Sequence, residues 1–279
     1  MNFGNKKYII LLFFFIIVLS FFLKKNKPIY SVKLIKELEL NTSRFIAHSG
    51  GGIEGYKYTN SEQAIKKSIK QGYKFIEIDL LETNDNVFVG VHDWKSFKEK
   101  TNFKNNSLKK HEPISYNEFK KLKIYSKFNP IDIYKINNIF STNTELFLLT
   151  DKTSNYQKIK RDIKFNQNRL LVEIFGKDNF YKAIKNKINN PIYNYNLGDY
   201  KFVNKNKIRI ISSNINNILN NREEFKKMIK NGIFIFAYSS NNEKFITNNI
   251  GKLFTHVYTD FWDIKKFQCT VKSDLCTTY

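Results

Sequence analysis

Acidic residues are in short supply: 25 Asp and Glu stand against 47 Lys and Arg, a formal net charge of +22 over 279 residues. That imbalance excludes an acidic, self-solvating chain and attracts anionic partners such as nucleic acid, an anionic membrane surface or a polyanionic polymer. Cysteine is nearly absent. Two residues are too few for a disulfide scaffold and lack the partners of a zinc finger. Four Pro and 11 Gly exclude collagen-like and Pro-rich classes. What the chain does have is apolar material, 42% hydrophobic residues with 26 Phe and 16 Tyr, which rules out wholesale disorder. Its length allows one large domain or two small ones, with ample core.

The longest uncharged run is residues 8–23, filled mostly by Ile, Leu, Val and Phe. Lys6 and Lys7 precede it, and Lys24, Lys25 and Lys27 follow. Sixteen helical residues span about 24 Å, slightly short of a bilayer core of about 30 Å. No small-residue cleavage site follows, so the expectation is an uncleaved signal-anchor over residues 1–28, a single transmembrane helix, ahead of one domain over 29–279. The flanking lysines balance and leave orientation open. Cys269 and Cys276 near the C-terminus close a small loop in an oxidising compartment or remain two thiols in cytosol, and the first option tilts the expectation toward a catalytic domain outside the cytoplasm. With the five N-terminal lysines set aside, the remainder still carries +17.

From Arg44 onward, short β-rich runs alternate with stretches of helical period, the pattern of an α/β fold with a parallel sheet. Strands are expected at 44–48, 75–80, 87–92, 145–151, 169–175, 192–196, 208–212, 233–238 and 257–260. Helices are expected at 61–71, 116–122, 156–165, 178–187 and 223–230. This fits a (β/α)8 TIM-type barrel. A doubly wound open sheet is the rival, disfavoured because no Gly-rich fingerprint joins a strand to a helix. The second and third strands are too close for a crossover helix. Residues 94–143, Lys/Asn-rich with one amphipathic piece, read as an insertion after the third strand.

Polar residues cluster at the C-terminal ends of the early strands. His48 ends the first and is followed by Ser49-Gly50-Gly51-Gly52. Glu77 and Asp79 leave one face of the second, with Ile76, Ile78 and Leu80 on the other. His92 ends the third, and Asp151, followed by Lys152, ends the fourth. In a parallel barrel these ends meet at one mouth. Three carboxylates suit a hard divalent cation, Mg²⁺ or Ca²⁺. Two imidazoles beside it form an acid/base pair suited to splitting a phosphodiester, one activating a nucleophile and the other protonating the leaving alkoxide. Paired-carboxylate glycosidase chemistry would use Glu77 and Asp79 but needs neither His.

The chain resembles the glycerophosphodiester phosphodiesterases, relatives of phosphatidylinositol-specific phospholipase C. The resemblance lies in Ile46-Ala47-His48-Ser49-Gly50, Thr59-Asn60-Ser61, Ile76-Glu77-Ile78-Asp79 with Thr83-Asn84-Asp85, and Val91-His92-Asp93. It continues through Glu112-Pro113-Ile114-Ser115-Tyr116-Asn117-Glu118, Leu148-Leu149-Thr150-Asp151-Lys152 and Val257-Tyr258-Thr259-Asp260. It implies a metal-dependent (β/α)8 barrel hydrolysing glycerol phosphodiesters, with His48 and His92 as the acid/base pair. Glu77, Asp79 and Asp151 are then the metal ligands, Asp151 standing where the family usually has Glu, and Lys152 lies near the substrate phosphate. Ser49 stands where the family usually has an Arg and is assigned to substrate binding. Thr59 stands where it usually has a Glu near the metal. Glu54, in the long glycine loop, could return that charge, although an exposed loop acid is the plainer reading.

Glu173, on a central strand, is expected to face the barrel interior near substrate. His111 is expected to be solvated and His256 structural, while Trp94 and Trp262 either rim the site or simply pack. The expected substrate is a phosphodiester of a membrane lipid headgroup, a deacylated lipid or a surface polymer. The alternatives are a lyase forming a cyclic phosphate and a binding protein with a degenerate site, the latter motivated by Ser49 and Thr59. Nucleic acid is not expected as partner, because no aromatic residues interleave the lysine runs for base stacking.

Overall fold

A computed structural model describes residues 29–104, 108–270 and Cys276. The anchor expected over 1–28 lies outside the described residues, among which no helix is long and apolar enough to cross a membrane.

Nine strands form the main sheet: β1 Phe45–Ala47, β2 Phe75–Glu82, β3 Phe88–Gly90, β4 Phe147–Asp151, β5 Leu170–Phe175, β6 Pro191–Asn194, β7 Ile210–Asn214, β8 Phe234–Tyr238 and β9 His256–Thr259. All nine lie where the sequence placed strands. Eight run parallel and close into a barrel because β1 pairs with both β2 and β9, Ile46 standing opposite Phe75 on one side and Tyr258 on the other. The ninth, β3, folds back antiparallel onto the far end of β2, with Leu80 opposite Gly90. The open-sheet alternative is excluded by that closure.

Period-two alternation builds two apolar layers from the same strands. Outward residues such as Ile76, Ile78, Leu148, Val172 and Ile211 pack under the surrounding helices. Inward residues Ile46, Phe75, Phe147, Leu149, Leu171, Ile192, Ile210 and Phe236 fill the N-terminal half of the barrel. A helix unmarked by the sequence, α1 Val32–Leu38, closes that end by seating Leu34 and Leu38 in the same cluster. The chain enters there too. The Ile29 carbonyl accepts from Asn190 N–H, and the Tyr30 hydroxyl donates to the Pro191 carbonyl.

Several helices that follow strands begin on a side chain accepting a backbone N–H of their first turn: Ser61, Asp132, Asn155, Asn214 and Asn242. Such caps are commonly worth about 1 kcal/mol. Part of the asparagine abundance thus does structural duty.

The stretch expected as an insertion, 94–143, divides in two. Its first part carries α2 Trp94–Lys100 and α3 Tyr116–Phe119, which pack in a separate cluster with Trp94, Phe97, Phe119 and Phe128. Its last part is a barrel helix, α4 Ile133–Thr142, whose Ile136, Ile139 and Phe140 join the main core. Near the C-terminus Cys269 and Cys276 form a disulfide.

Candidate active site

A cavity of about 240 Å³ opens at the C-terminal mouth of the barrel. It is lined by His48, Tyr58, Glu77, Asp79, His92, Asp151, Lys152, Glu173, Phe175, Tyr238, Ser239 and Tyr258. Seven of the eight site residues expected from sequence lie on this lining, contributed by the ends of β1, β2, β4 and β5 and by the turn after β3. The exception is Ser49. It is fully buried beneath the carboxylates, its N–H donating to Glu77 Oε2 at 2.6 Å and its hydroxyl to Asp79 Oδ2 at 2.7 Å. Assigning Ser49 to substrate contact is therefore corrected. The short side chain at φ +48 turns back under the site and holds the carboxylates.

Ligand oxygens of Glu77, Asp79 and Asp151 all lie within 4.8 Å of one another. The register that sets Asp79 opposite Asp151 on neighbouring parallel strands brings them together. Asn60 grips Asp79 twice, its amide donating to Oδ2 at 2.8 Å and its carbonyl oxygen accepting the Asp79 N–H at 3.1 Å. Lys152 Nζ lies 3.1 Å from Asp151 and 3.6 Å from Asp79.

Burial, with the neighbouring Asp79 and Asp151 charges, pushes the Glu77 carboxyl well above the usual carboxylate range. Asp151 is raised likewise, by burial and then by Asp79. For Asp79 burial acts upward, but the Asn60 hydrogen bond and the His92, Lys152 and His48 charges hold it below its ordinary value. Burial alone would lower Lys152; Asp151 and Asp79 raise it instead. Three buried carboxylates facing one ammonium need further positive charge before all can ionise. Asp151 Oδ1 is buried with no hydrogen-bond partner. This oxygen-only donor set fits a hard divalent cation.

Both imidazoles are held at the same nitrogen. His48 Nδ1 lies 3.2 Å from Asp260 Oδ1, an ion-pair distance whose alignment falls short of a hydrogen bond. His92 Nδ1 lies 3.1 Å from Asp93 Oδ2. That leaves Nε2 of each ring as the nitrogen not turned toward its carboxylate. Although burial acts upward, the His48 contact keeps Asp260 low, and donation from Ser96 together with His92 brings Asp93 down to about 2. Glu173 accepts from Ser212 at 2.8 Å, Asn194 at 3.0 Å and Tyr258 at 3.2 Å, and burial raises its carboxyl.

Thr59 and Ser61, hydroxyl to hydroxyl at 3.0 Å, are buried beside Asn60. Glu54 does not replace the carboxylate missing at Thr59; it pairs with Lys127 on the surface. Trp94 and Trp262 pack in the interior, Trp262 stacked on Phe45 at 4.7 Å, and the Phe and Tyr rings of the lining are Tyr58, Phe175, Tyr238 and Tyr258. His111 is exposed. His256 is buried among Phe75, Phe234 and Phe236.

The sequence reading assigned no role to Tyr58, Asn60 or Asp260, although Asn60 and Asp260 lie in the motifs it quoted. Asp260 directly follows β9 as His48 follows β1, so the strand-end rule extended around the barrel would have found it. Tyr58 and Asn60 sit in a loop where no periodicity marks them.

A closed (β/α)8 barrel whose mouth gathers an oxygen-ligand cluster and two carboxylate-held imidazoles defines the phosphodiester-hydrolase class. Residues 51–188 match the glycerophosphoryl diester phosphodiesterase family. The chain belongs to that family, and it is an enzyme of the phosphoric diester hydrolase type. The fold recurs in a glycerophosphodiester phosphodiesterase from Thermotoga maritima, at TM-score 0.63 and 18% identity over 81% of this chain and 96% of that one. It recurs in a glycerophosphoryl diester phosphodiesterase from Parabacteroides distasonis, at 0.64 and 15% over 83% and 88%. An Oleispira antarctica phosphodiesterase solved with the product sn-glycerol-3-phosphate aligns at 0.63 and 16% over 80% and 94%. No curated protein matches the chain in sequence.

Proposed function

We propose that this chain hydrolyses glycerol- or polyol-linked phosphodiesters with the help of a divalent cation, Mg²⁺ or Ca²⁺, using His48 and His92 as its proton-transfer pair. The observation that carries this reading is the pair of imidazoles, each tied at Nδ1 to a carboxylate, lining one cavity with three converging carboxylates. Glu77, Asp79 and Asp151 would hold the cation, which when bound neutralises the non-bridging phosphate oxygens.

The chain's own residues do the rest. Nε2 of one imidazole takes a proton from the attacking water as the new P–O bond forms. Nε2 of the other returns a proton to the alcohol oxygen as the old P–O bond breaks. Asp260 and Asp93 stabilise whichever ring is cationic. Lys152 lies on the cavity wall where its ammonium can meet a phosphate oxygen, and Glu173 can accept a polyol hydroxyl. The glycerol 3-phosphate held by the Oleispira antarctica protein of the same fold supports a glycerol phosphate as one half of the substrate.

The test follows hydrolysis of a panel of glycerophosphodiesters by the full chain with Mg²⁺, Ca²⁺ or chelator. Turnover should require the cation and fall about 10³-fold in His48→Ala. Metal-independent turnover, or an active His48→Ala, would overturn the reading. A cyclic phosphate among the products would reassign the site to attack by a substrate hydroxyl.

We also assign residues 1–28 as a single-pass anchor and 29–279 as a catalytic domain outside the cytoplasm. The lysine-fenced run 8–23 and the Cys269–Cys276 disulfide, a bond favoured in oxidising compartments, support this. Protease digestion of intact cells should remove the domain; full protection would refute the orientation.

A further inference from the structure

Each imidazole of the pair has one fixed point, the carboxylate at Nδ1. A single contact locates one atom and leaves the ring free to swivel about it. A second contact is needed to aim Nε2, and one side chain supplies it to both rings. Tyr58 meets His48 edge-to-face with centroids 4.4 Å apart at 74°, and meets His92 in the same manner at 5.3 Å and 78°. The next aromatic ring near His48 is Tyr258, at 6.1 Å.

Tyr58 is itself held from behind. Its carbonyl accepts from Lys100 Nζ at 2.8 Å, and the same ammonium lies 5.8 Å from its ring. Two residues on, Asn60 is fastened to Asp79 and, through its N–H, to the Ser49 carbonyl. The ring thus stands on a loop tied to the carboxylate cluster, between the two groups that exchange protons. Its hydroxyl is directed to Ser239, which shares the cavity lining.

We propose that Tyr58 is a positioning residue that aims both imidazoles at once. The inference rests on the roles proposed above for His48 and His92. Because it works through the rings, the aromatic face is the essential part and the hydroxyl is not.

The test compares wild type, Tyr58→Phe, Tyr58→Leu and Tyr58→Ala in the full chain at saturating Mg²⁺ or Ca²⁺. It measures kcat and KM on a glycerophosphodiester and records imidazole ¹⁵N–¹H spectra. Misaimed catalytic groups cost about 10²-fold, so Tyr58→Ala and Tyr58→Leu should lose that much in kcat while KM moves less than about threefold. Tyr58→Phe should stay within about threefold of wild type, since edge-to-face packing survives in it. Resonances of both His48 and His92 should move in the Ala and Leu variants. The Leu variant fills the volume without a ring, so it reports on aim even where Ala fails to fold.

Wild-type kcat in both ringless variants overturns the inference, as does a Phe variant as impaired as Ala, or a loss confined to KM. If wild type turns over no phosphodiester, the proposed function falls. The spectra then decide alone, and unchanged His48 and His92 resonances in Tyr58→Leu refute the positioning role.

Discussion

The two ends of this barrel are made by the same strands and have opposite chemistry. Along the inward face of β2 the order is Phe75, Glu77, Asp79; along β4 it is Phe147, Leu149, Asp151; along β5 it is Leu171, then Glu173. One end is a dry plug with Leu34 and Leu38 at its centre. The other is a polar mouth where burial, and then the crowding of like charges, raises the Glu77 and Asp151 carboxyls. A strand five residues long therefore serves stability at its start and chemistry at its finish. The apolar end carries the free energy that the mouth consumes in burying like charges.

That division can be broken from either side. The largest stability effect belongs to the plug. Leu34→Ala should lower unfolding free energy by about 2–5 kcal/mol, read by denaturant melts, while kcat of the folded fraction is preserved. A matching fall in kcat would show that the two ends are not separate. Next comes the mouth. Divalent cation at 100 times its Kd should stabilise wild type by about 2.7 kcal/mol, and Glu77→Gln should weaken that affinity and shrink the gain. Calorimetry finding the same affinity in Glu77→Gln would remove Glu77 from the ligand set.

The effect that is smallest at neutral pH is an acid sensitivity at the plug. Burial, aided by Arg44, lowers the His256 imidazole to about 3, and its Nε2 is buried without a partner. The folded state keeps this ring neutral while the unfolded chain protonates it below about 6.5. Stability from this group is therefore complete above that pH. It falls by about 1.4 kcal/mol for each unit between about 6 and 3, because the unfolded state binds the extra proton. His256→Leu should flatten that part of the stability–pH curve; an unchanged slope would show that other groups set it.

The strands were legible because residues buried on both faces leave continuous apolar runs, and their polar ends stand out against them. That is how His48, Glu77, Asp79, His92 and Asp151 could be read together. The helix Ile133–Thr142 was hidden because its Ile, Asn and Thr are weak helix formers; it exists by seating Ile136 and Phe140 on the core. The small plug helix was hidden by its length. Ser49 was misread for a different reason. Its sequence neighbour His48 faces the cavity, but a left-handed backbone turns Ser49 underneath, and nothing in residue order reports that turn. Tyr58 depends on contacts with two rings distant in sequence, which no local pattern encodes.

Ile29 and Tyr30 meet the barrel at its plugged end, against Asn190 and Pro191 respectively, on the side away from the cavity. The five residues 24–28 reach at most about 18 Å even when fully stretched. If the proposed anchor holds residues 8–23 in a bilayer, the molecule would stand on its heel, with the depth of the barrel between the mouth and the lipid. An enzyme planted this way would sample the space above its own surface. Its substrates would then be whatever diffuses or dangles there, and the headgroups around its own root would be the hardest for it to reach.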